Sequence, residues 1–235
     1  MRALLAVYRK ELALYFRSPI AYFSVAVFLV GAGYFFSHNV FLSGSATMTE
    51  TFRSVSILLV TLLPVVTMRL FSAEYSGRTM ELLMTLPLSP WQIVLGKYLG
   101  ALTILALMTL GTMVDLVPLY LFGNPETLAI LSGYLGFFLL GMACIAVGQL
   151  CSSLTQNQIV AALVTISVLL SFWSVGHLQS FQTSPALRDL AGYLSFALHF
   201  GDFVLGLVRS EGVAFYLLVS AIALTLNAAW LQWRR

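Results

Sequence analysis

The longest stretch without a charged residue sets the strongest limit on this fold. No Asp, Glu, Lys or Arg occurs from Thr127 to Leu187, in a chain of 235 residues that is 60% hydrophobic and 9% charged. A soluble domain carries roughly 25% charged residues and does not bury such a stretch as one core. The stretch is long enough to cross a bilayer twice, and the uncharged polar sequence Cys151–Gln158 divides it. We therefore predict an all-α membrane protein that crosses the bilayer several times.

The distribution of basic residues predicts the orientation. With the N-terminus in the cytoplasm, nine of the twelve Lys and Arg residues fall on the cytoplasmic side, and Arg53, Arg188 and Arg209 fall outside. The positive-inside rule favours this arrangement. We therefore expect both termini to be cytoplasmic. Because the basic residues flank apolar segments and form no single stripe, we expect no nucleic-acid partner.

Six apolar segments have the length of transmembrane helices. Two of these segments contain small residues four positions apart, Gly96–Gly100 and Ser132–Gly136, a spacing typical of close helix contacts or of a subunit interface. An even number of spans returns both termini to one side of the membrane, which agrees with the charge distribution. The predicted spans are approximately residues 20–42, 53–71, 91 or 97 to 122, 128–150, 158–175 and 212–233.

Residues 1–18 predict an amphipathic helix at the surface of the inner leaflet. Apolar residues recur on one face at the helical period, and the basic residues lie roughly opposite. Such a helix lies among lipid headgroups, where membrane lipid is its partner. The pair Ser18-Pro19 ends it. The predicted apolar face comprises Leu4, Leu5, Tyr8, Leu12, Tyr15 and Phe16.

Polar residues near the outer surface are candidate sites. Residues 177–211 mix apolar and charged side chains and predict short re-entrant helices before the last span. His199 and Asp202 are three positions apart in this region, and we expect them to form a structural pair. Asp115 is the one acid inside an apolar segment, which makes it a functional candidate. Its expected distance of about 27 Å along the helix from Lys97 places it near the outer boundary, where an interfacial role is the alternative.

The segment Arg69–Pro90 connects the second and third predicted spans and carries four charges. Ser72 or Thr79 is the expected N-cap of a short helix, with an acid in its first turn. Leu86-Pro87 ends that helix. The sequence Ser89-Pro90-Trp91-Gln92 then predicts a capping box that begins the third span. We expect a short helix across the cytoplasmic face, followed by a second one that enters the membrane.

The sequence contains no catalytic or nucleotide-binding motif. It has no His-Glu-x-x-His, no Gly-x-Ser-x-Gly and no cysteine pattern with metal-ligand spacing. A P-loop is also absent, since Gly96-Lys97 is followed by Tyr98 and lacks the required upstream glycine. We expect no catalytic residue, no metal site and no cofactor bound by this chain. If ATP and Mg²⁺ drive the protein, they bind to another chain.

Several motifs resemble the permease subunits of ABC-2-type transporters, in particular the group associated with gliding motility. The resemblance extends over nearly the whole chain. The sequence departs from the family pattern at Tyr75 and at Ser76–Thr79, where a second acid and a Gly-Thr pair in another register are expected. The similar motifs are Lys10–Leu12, Phe16–Tyr22, Met68–Glu74, Glu81–Pro87, Trp91–Lys97, Ser152–Gln158 and His199–Phe203.

The resemblance implies a single domain, residues 1–235, that pairs with a second copy or a paralogue in the bacterial cytoplasmic (inner) membrane. Residues 1–18 would be the connector helix, 72–90 the coupling-helix loop and 177–211 the extracytoplasmic re-entrant region. The coupling loop would dock on a separate ABC ATPase subunit. The docking residues implied are Glu74, Tyr75, Arg78, Thr79, Glu81 and Leu82, with a second cytoplasmic contact at Thr155, Gln156 and Asn157.

Two functions follow from the resemblance. The first is the permease subunit of an ATP-driven exporter, in which the ATPase moves the coupling loops and the spans rock to open a path. The alternative is a membrane anchor or mechanotransducer that passes ATPase motion to a periplasmic accessory protein without moving a substrate. Neither function identifies the cargo.

Overall fold

The computed structural model describes residues 2–42, 47–123, 125–176 and 185–234. Within these ranges the chain is helical and contains no β-strand, so the predicted all-α class is confirmed. The beginning of the predicted re-entrant region, residues 177–184, lies outside the described residues.

The described residues form twelve α-helices. A π-helical turn (His38–Leu42) follows the second helix, and a 3₁₀ turn (Met113–Asp115) follows the sixth. The helices are α1 (Arg2–Arg17), α2 (Pro19–Ser37), α3 (Thr49–Thr67), α4 (Arg69–Ser76), α5 (Thr79–Thr85), α6 (Pro90–Thr112), α7 (Leu116–Phe122), α8 (Thr127–Leu154), α9 (Gln158–Ser174), α10 (Pro185–Leu194), α11 (Phe196–Val204) and α12 (Ser210–Trp233).

Five helical segments in the described residues are long and apolar enough to cross a membrane. They agree in position with five of the six predicted spans, and the multi-pass membrane class is confirmed. The remaining span corresponds to α9, an apolar helix of 17 residues with a length of about 25 Å. The predicted count of six is not confirmed. The five segments are Pro19–Val40, Thr49–Ser76, Pro90–Leu121, Thr127–Leu154 and Ser210–Trp233.

The helix α8 lies at the centre of the bundle and contacts α3, α6, α9, α11 and α12. Small residues on α8 permit this packing because they let neighbouring helices approach closely. The predicted contact at Gly136 is within the chain: a Cβ on this glycine would meet the side chain of Phe203 in α11. Gly136 therefore lets α8 and α11 of the same chain approach closely.

The helix α1 packs along α6, and the predicted close contact at Gly96 and Gly100 is confirmed there. A Cβ added to Gly96 would lie 2.7 Å from Val7 Cγ1, and one added to Gly100 would lie 2.9 Å from Glu11 Cβ. Because these two glycines have no Cβ atom, the axes of α1 and α6 can approach closely. A bulkier side chain at either position would push the two helices apart.

The apolar face predicted for α1 is wrong in part. Val7, Glu11 and Tyr15 face the protein and are buried, whereas Leu5 and Phe16 are about half exposed. The Glu11 carboxylate can lie on the protein-facing side because Lys97 of α6 pairs with it. The exposed apolar side chains of α1 remain available to lipid.

Candidate functional site

The charged segment between the second and third spans forms two short helices. The span α3 is interrupted at Met68 and continues as α4, so Ser72 lies inside a helix and donates its hydroxyl to the Met68 carbonyl oxygen. Thr79 is the first residue of α5, and the position before it is Arg78 in the left-handed conformation with φ 55°. Neither residue is therefore the N-cap that the sequence predicted. The predicted position of Glu81 in the first turn is confirmed.

The end of α5 and the beginning of α6 follow the prediction. The chain becomes extended at Leu86, directly after α5. Ser89 Oγ then accepts from the Gln92 amide at 3.3 Å, and Gln92 Oε1 accepts from the Ser89 amide at 3.0 Å. This reciprocal pair is the predicted capping box, and it fixes the direction in which the chain enters the membrane.

One side of α5 packs on the protein and the other is exposed. Met80 and Leu83 are buried in the core, whereas Arg78, Thr79 and Glu81 are exposed. The side chain of Leu82 lies outside the described part of the chain. Three of the predicted docking residues therefore lie on one short helix and the turn before it, accessible to a partner.

Glu74 and Tyr75 are arranged differently from those three residues. The Glu74 carboxylate is buried, 2.6 Å from Lys10 Nζ and 3.1 Å from Lys97 Nζ. The Tyr75 ring lies 5.0 Å from the guanidinium carbon of Arg234, beyond the end of α12. Glu74 thus contacts groups inside the protein, and its docking role stays a prediction.

We define the Lys97 cluster as Lys10, Glu11, Glu74 and Lys97. Lys97 Nζ contacts Glu11 Oε1 at 2.7 Å and donates to the Leu70 carbonyl oxygen at 2.6 Å, and its side chain is only 1% exposed. A buried charge is tolerated only when it is paired and hydrogen bonded, because its desolvation is costly. The cluster therefore ties together α1, α4 and α6, the three helices that supply its members.

The junction of α3 and α4 is held by two further hydroxyl groups. Ser152 Oγ of α8 accepts from the Phe71 and Ser72 amides at 3.1 and 3.2 Å and donates to the Met68 carbonyl oxygen at 2.8 Å. Tyr15 Oη of α1 donates to the Val66 carbonyl oxygen at 3.1 Å. Burial, aided by the Glu11 carboxylate, raises the pKa of Tyr15 well above its usual 10, so the phenol stays a neutral donor.

The turn that was predicted as a second cytoplasmic contact lies at the same end of the bundle. Asn157 caps α9, its Oδ1 accepting from the Ile159 amide at 2.9 Å, and Thr155 Oγ1 accepts from the Asn157 amide at 3.2 Å. Gln156 and Asn157 are exposed. Because Ser152 at the end of α8 binds the beginning of α4, the structure brings this turn and the α4–α5 segment to one end of the protein.

The other polar candidates are separate from this region. Asp115 lies in the 3₁₀ turn, half-buried, and lines a small cavity with Thr51. The expected His199–Asp202 pair is wrong, since each residue has another partner. His199 Nε2 lies 3.2 Å from the Tyr193 carbonyl oxygen and its ring stacks on Phe215, while Asp202 pairs with Arg209 at 3.5 Å.

Sequence reasoning did not identify the Lys97 cluster as a unit. The charge distribution alone treats Lys97 as a basic residue that flanks a span, although it lies seven residues inside the apolar helix α6. A charged residue in that position requires a partner, and Glu11 is the one acid of the first helix. These two facts together could have predicted the pairing of Lys97 with Glu11. In the described residues, no group of three or more His, Cys, Asp or Glu side chains is arranged to hold a metal ion.

A family model described as an ABC-2 family transporter protein matches residues 43–230. The match covers well over half of the chain and includes α4, α5 and the turn between α8 and α9. No curated protein is significantly similar to the chain. Members of this family work with an ABC ATPase, and the apolar helices agree with a multi-pass membrane location. The chain therefore belongs to the ABC-2 transporter family and is a membrane permease subunit of an ABC transporter.

Proposed function

We propose that this chain is the membrane half of an ATP-driven exporter in the bacterial inner membrane. Two copies, or one copy and a paralogue, would form the transport pathway. The observation that carries the proposal is the arrangement of α4 and α5. Exposed Arg78, Thr79 and Glu81 lie directly beyond Glu74, which is bound inside the Lys97 cluster.

We propose that α5 and the preceding turn dock on the ABC ATPase. Met80 and Leu83 anchor α5 to the core, so the exposed charges are held in a defined position. Charged side chains on the rim of an interface fix its register and speed up encounter. The exposed turn at Gln156 and Asn157 lies at the same end and supplies the second contact.

Motion of the ATPase would reach the membrane through the Lys97 cluster. Any displacement of α4 carries Glu74 and the Leu70 carbonyl, and both of these contact Lys97 of α6. Lys97 in turn contacts Glu11 of α1. Buried contacts of this kind move as a unit more readily than they separate, because separation leaves unpaired charges in an apolar environment. The proposed route is therefore α5, α4, α6 and α1.

ATP and Mg²⁺ would bind only to the partner. The sequence has no P-loop, and its exposed charges on α5 suit protein contact better than phosphate binding. We thus assign this chain no enzymatic activity of its own. The proposed topology places α9 as the fifth of six spans and both termini in the cytoplasm, in agreement with the positive-inside rule. Membership of the gliding-motility group stays a prediction.

The test is co-purification of an ATPase with the tagged full-length chain from membranes of its own bacterium. The wild-type complex should hydrolyse ATP and contain a chain with a P-loop. The variant Glu81→Arg should retain several-fold less of that chain. Glu50→Arg is the matched control, because Glu50 is also an exposed glutamate in the first turn of a helix, but that helix is α3.

Two results would contradict the proposal. Equal ATPase recovery with Glu81→Arg and Glu50→Arg would place the docking surface elsewhere. A reconstituted complex that hydrolyses ATP, moves no solute or lipid and is stimulated by a periplasmic protein would instead indicate mechanical transduction. The first result concerns docking, and the second concerns export.

A further inference from the structure

A partly open cavity of about 280 Å³ lies between α1, α4 and α6. Three cationic side chains and two carboxylates line it, together with hydroxyl groups and a few apolar side chains. Its volume is many times the roughly 10–15 Å³ that a cavity needs in order to hold one water molecule. The charged lining residues are Lys10, Glu11, Arg69, Glu74 and Lys97.

The charges around this cavity leave one cation without an acidic partner. Lys10 and Lys97 pair with the two carboxylates of the Lys97 cluster. Arg69 donates to the Ser18 hydroxyl, and in the described part of the chain no carboxylate lies within 4.0 Å of its guanidinium. A guanidinium has five N–H donors, so one hydroxyl contact leaves most of them available. The cavity thus has a formal charge of +1, located at Arg69.

An apolar groove adjoins the charged cavity. It has a volume of about 370 Å³ and shares Tyr15 with the cavity. The groove lies between α2 and α6, both of which are membrane-spanning helices. Its other lining residues are almost all apolar, namely Phe16, Ala21, Tyr22, Val25, Ala26, Leu29, Ile104 and Leu107. A positively charged cavity next to an apolar groove matches a ligand with an anionic head and a hydrocarbon tail.

We propose that the cavity and groove bind an anionic phospholipid, with its phosphate at Arg69 and an acyl chain in the groove. Arginine binds phosphate oxygens through two parallel hydrogen bonds, and these charge-assisted bonds are stronger than neutral ones. Basic pockets between membrane helices on the cytoplasmic side are suited to lipid headgroups. The exposed apolar side chains of α1, such as Leu5 and Phe16, place this helix at the level of the headgroups.

The test measures lipid binding to the purified full-length chain without an ATPase, so it is independent of the proposed function. Phosphatidylglycerol and phosphatidylcholine with the same acyl chains are titrated into detergent-solubilised protein, and binding is followed by native mass spectrometry. Wild-type protein should prefer phosphatidylglycerol. Arg69→Gln should weaken its binding about tenfold, as expected for the loss of charge-assisted hydrogen bonds. The control is Arg17→Gln, which removes an exposed arginine of α1 that does not line the cavity.

A second pair of variants tests the groove and leaves the charged cavity unchanged. Ala26→Trp places a ring in the groove and should weaken phosphatidylglycerol binding several-fold. Val30→Trp is the control, because Val30 is 74% exposed on the same helix and does not line the groove. If Arg69→Gln fails to fold, this pair of variants tests the proposed lipid binding on its own.

Inorganic phosphate distinguishes the source of the ligand. If phosphate alone protects the wild type against thermal unfolding as well as phosphatidylglycerol does, in an Arg69-dependent manner, the lipid assignment is overturned in favour of a soluble anion. Equal phosphatidylglycerol binding by the wild type, Arg69→Gln and Ala26→Trp would overturn the whole proposal.

Discussion

The Lys97 ammonium lies 2.7 Å from the Glu11 carboxylate and joins α6 to α1 across 86 positions of the sequence. The same nitrogen contacts Glu74 of α4 at 3.1 Å. A single lysine thus holds together the first helix, the helix that precedes the proposed docking surface and a membrane span. Three consequences for stability follow from this arrangement and its surroundings.

Replacement of Lys97 by Met should destabilise the protein strongly. It leaves Glu11 and Glu74 buried without their shared partner, and breaking a buried pair in this way costs about 3–5 kcal/mol. Thermal unfolding of the full-length chain in detergent measures the loss. Lys10→Met is the control, since Lys10 is 45% exposed and its single ion pair is worth less. Equal stability of the two variants would show that the buried pair contributes nothing specific.

The Ser152 hydroxyl should contribute more to the stability of the fold than the Ser153 hydroxyl. Ser152→Ala leaves the Phe71 and Ser72 amides without an acceptor in a buried location, at a cost of about 1–3 kcal/mol. Ser153 is also buried, but its hydroxyl bonds only to the Leu150 carbonyl oxygen of its own helix. Ser153→Ala should therefore lower the unfolding temperature less. The reverse order would contradict the assigned role at the α3–α4 junction.

Gly100→Ala should weaken the contact between α1 and α6. The new methyl group would lie 2.9 Å from Glu11 Cβ, so the helices must shift, and such overpacking costs about 1–3 kcal/mol. At Gly33 in α2 a Cβ meets no atom within 4 Å, and Gly33→Ala should cause no loss of stability. Thermal unfolding in detergent compares the stabilities of the two variants. Tolerance of alanine at both positions would be inconsistent with tight α1–α6 packing.

Local sequence patterns predicted the features that depend only on neighbouring residues. The capping box at Ser89 and the close contact at Gly96 and Gly100 were readable because each is set by spacing along one helix. The positions of most spans followed from hydropathy for the same reason. The predicted N-cap at Ser72 was wrong because α4 begins at Arg69, directly after α3, so that Ser72 lies inside α4. Ser152, 80 positions away, accepts from the Ser72 amide.

Features that depend on distant residues were not predictable in the same way. The burial of Glu74 results from its contacts with Lys10 and Lys97, which lie 64 and 23 positions away in the sequence. His199 and Asp202 have the spacing of a pair, yet Phe215 and Arg209 from the neighbouring segment are their partners. Pattern and spacing identified the α4–α5 segment, whereas the arrangement of its charges required the three-dimensional structure.

The central claim is that the exposed side of α5 contacts the ATPase, and site-specific photo-crosslinking in intact membranes tests it most directly. A photoreactive amino acid at Arg78 should form an adduct with a P-loop-containing chain. The same amino acid at Arg53, which is 52% exposed in the first turns of α3, should form none. Adducts at Arg53 and none at Arg78 would contradict the account.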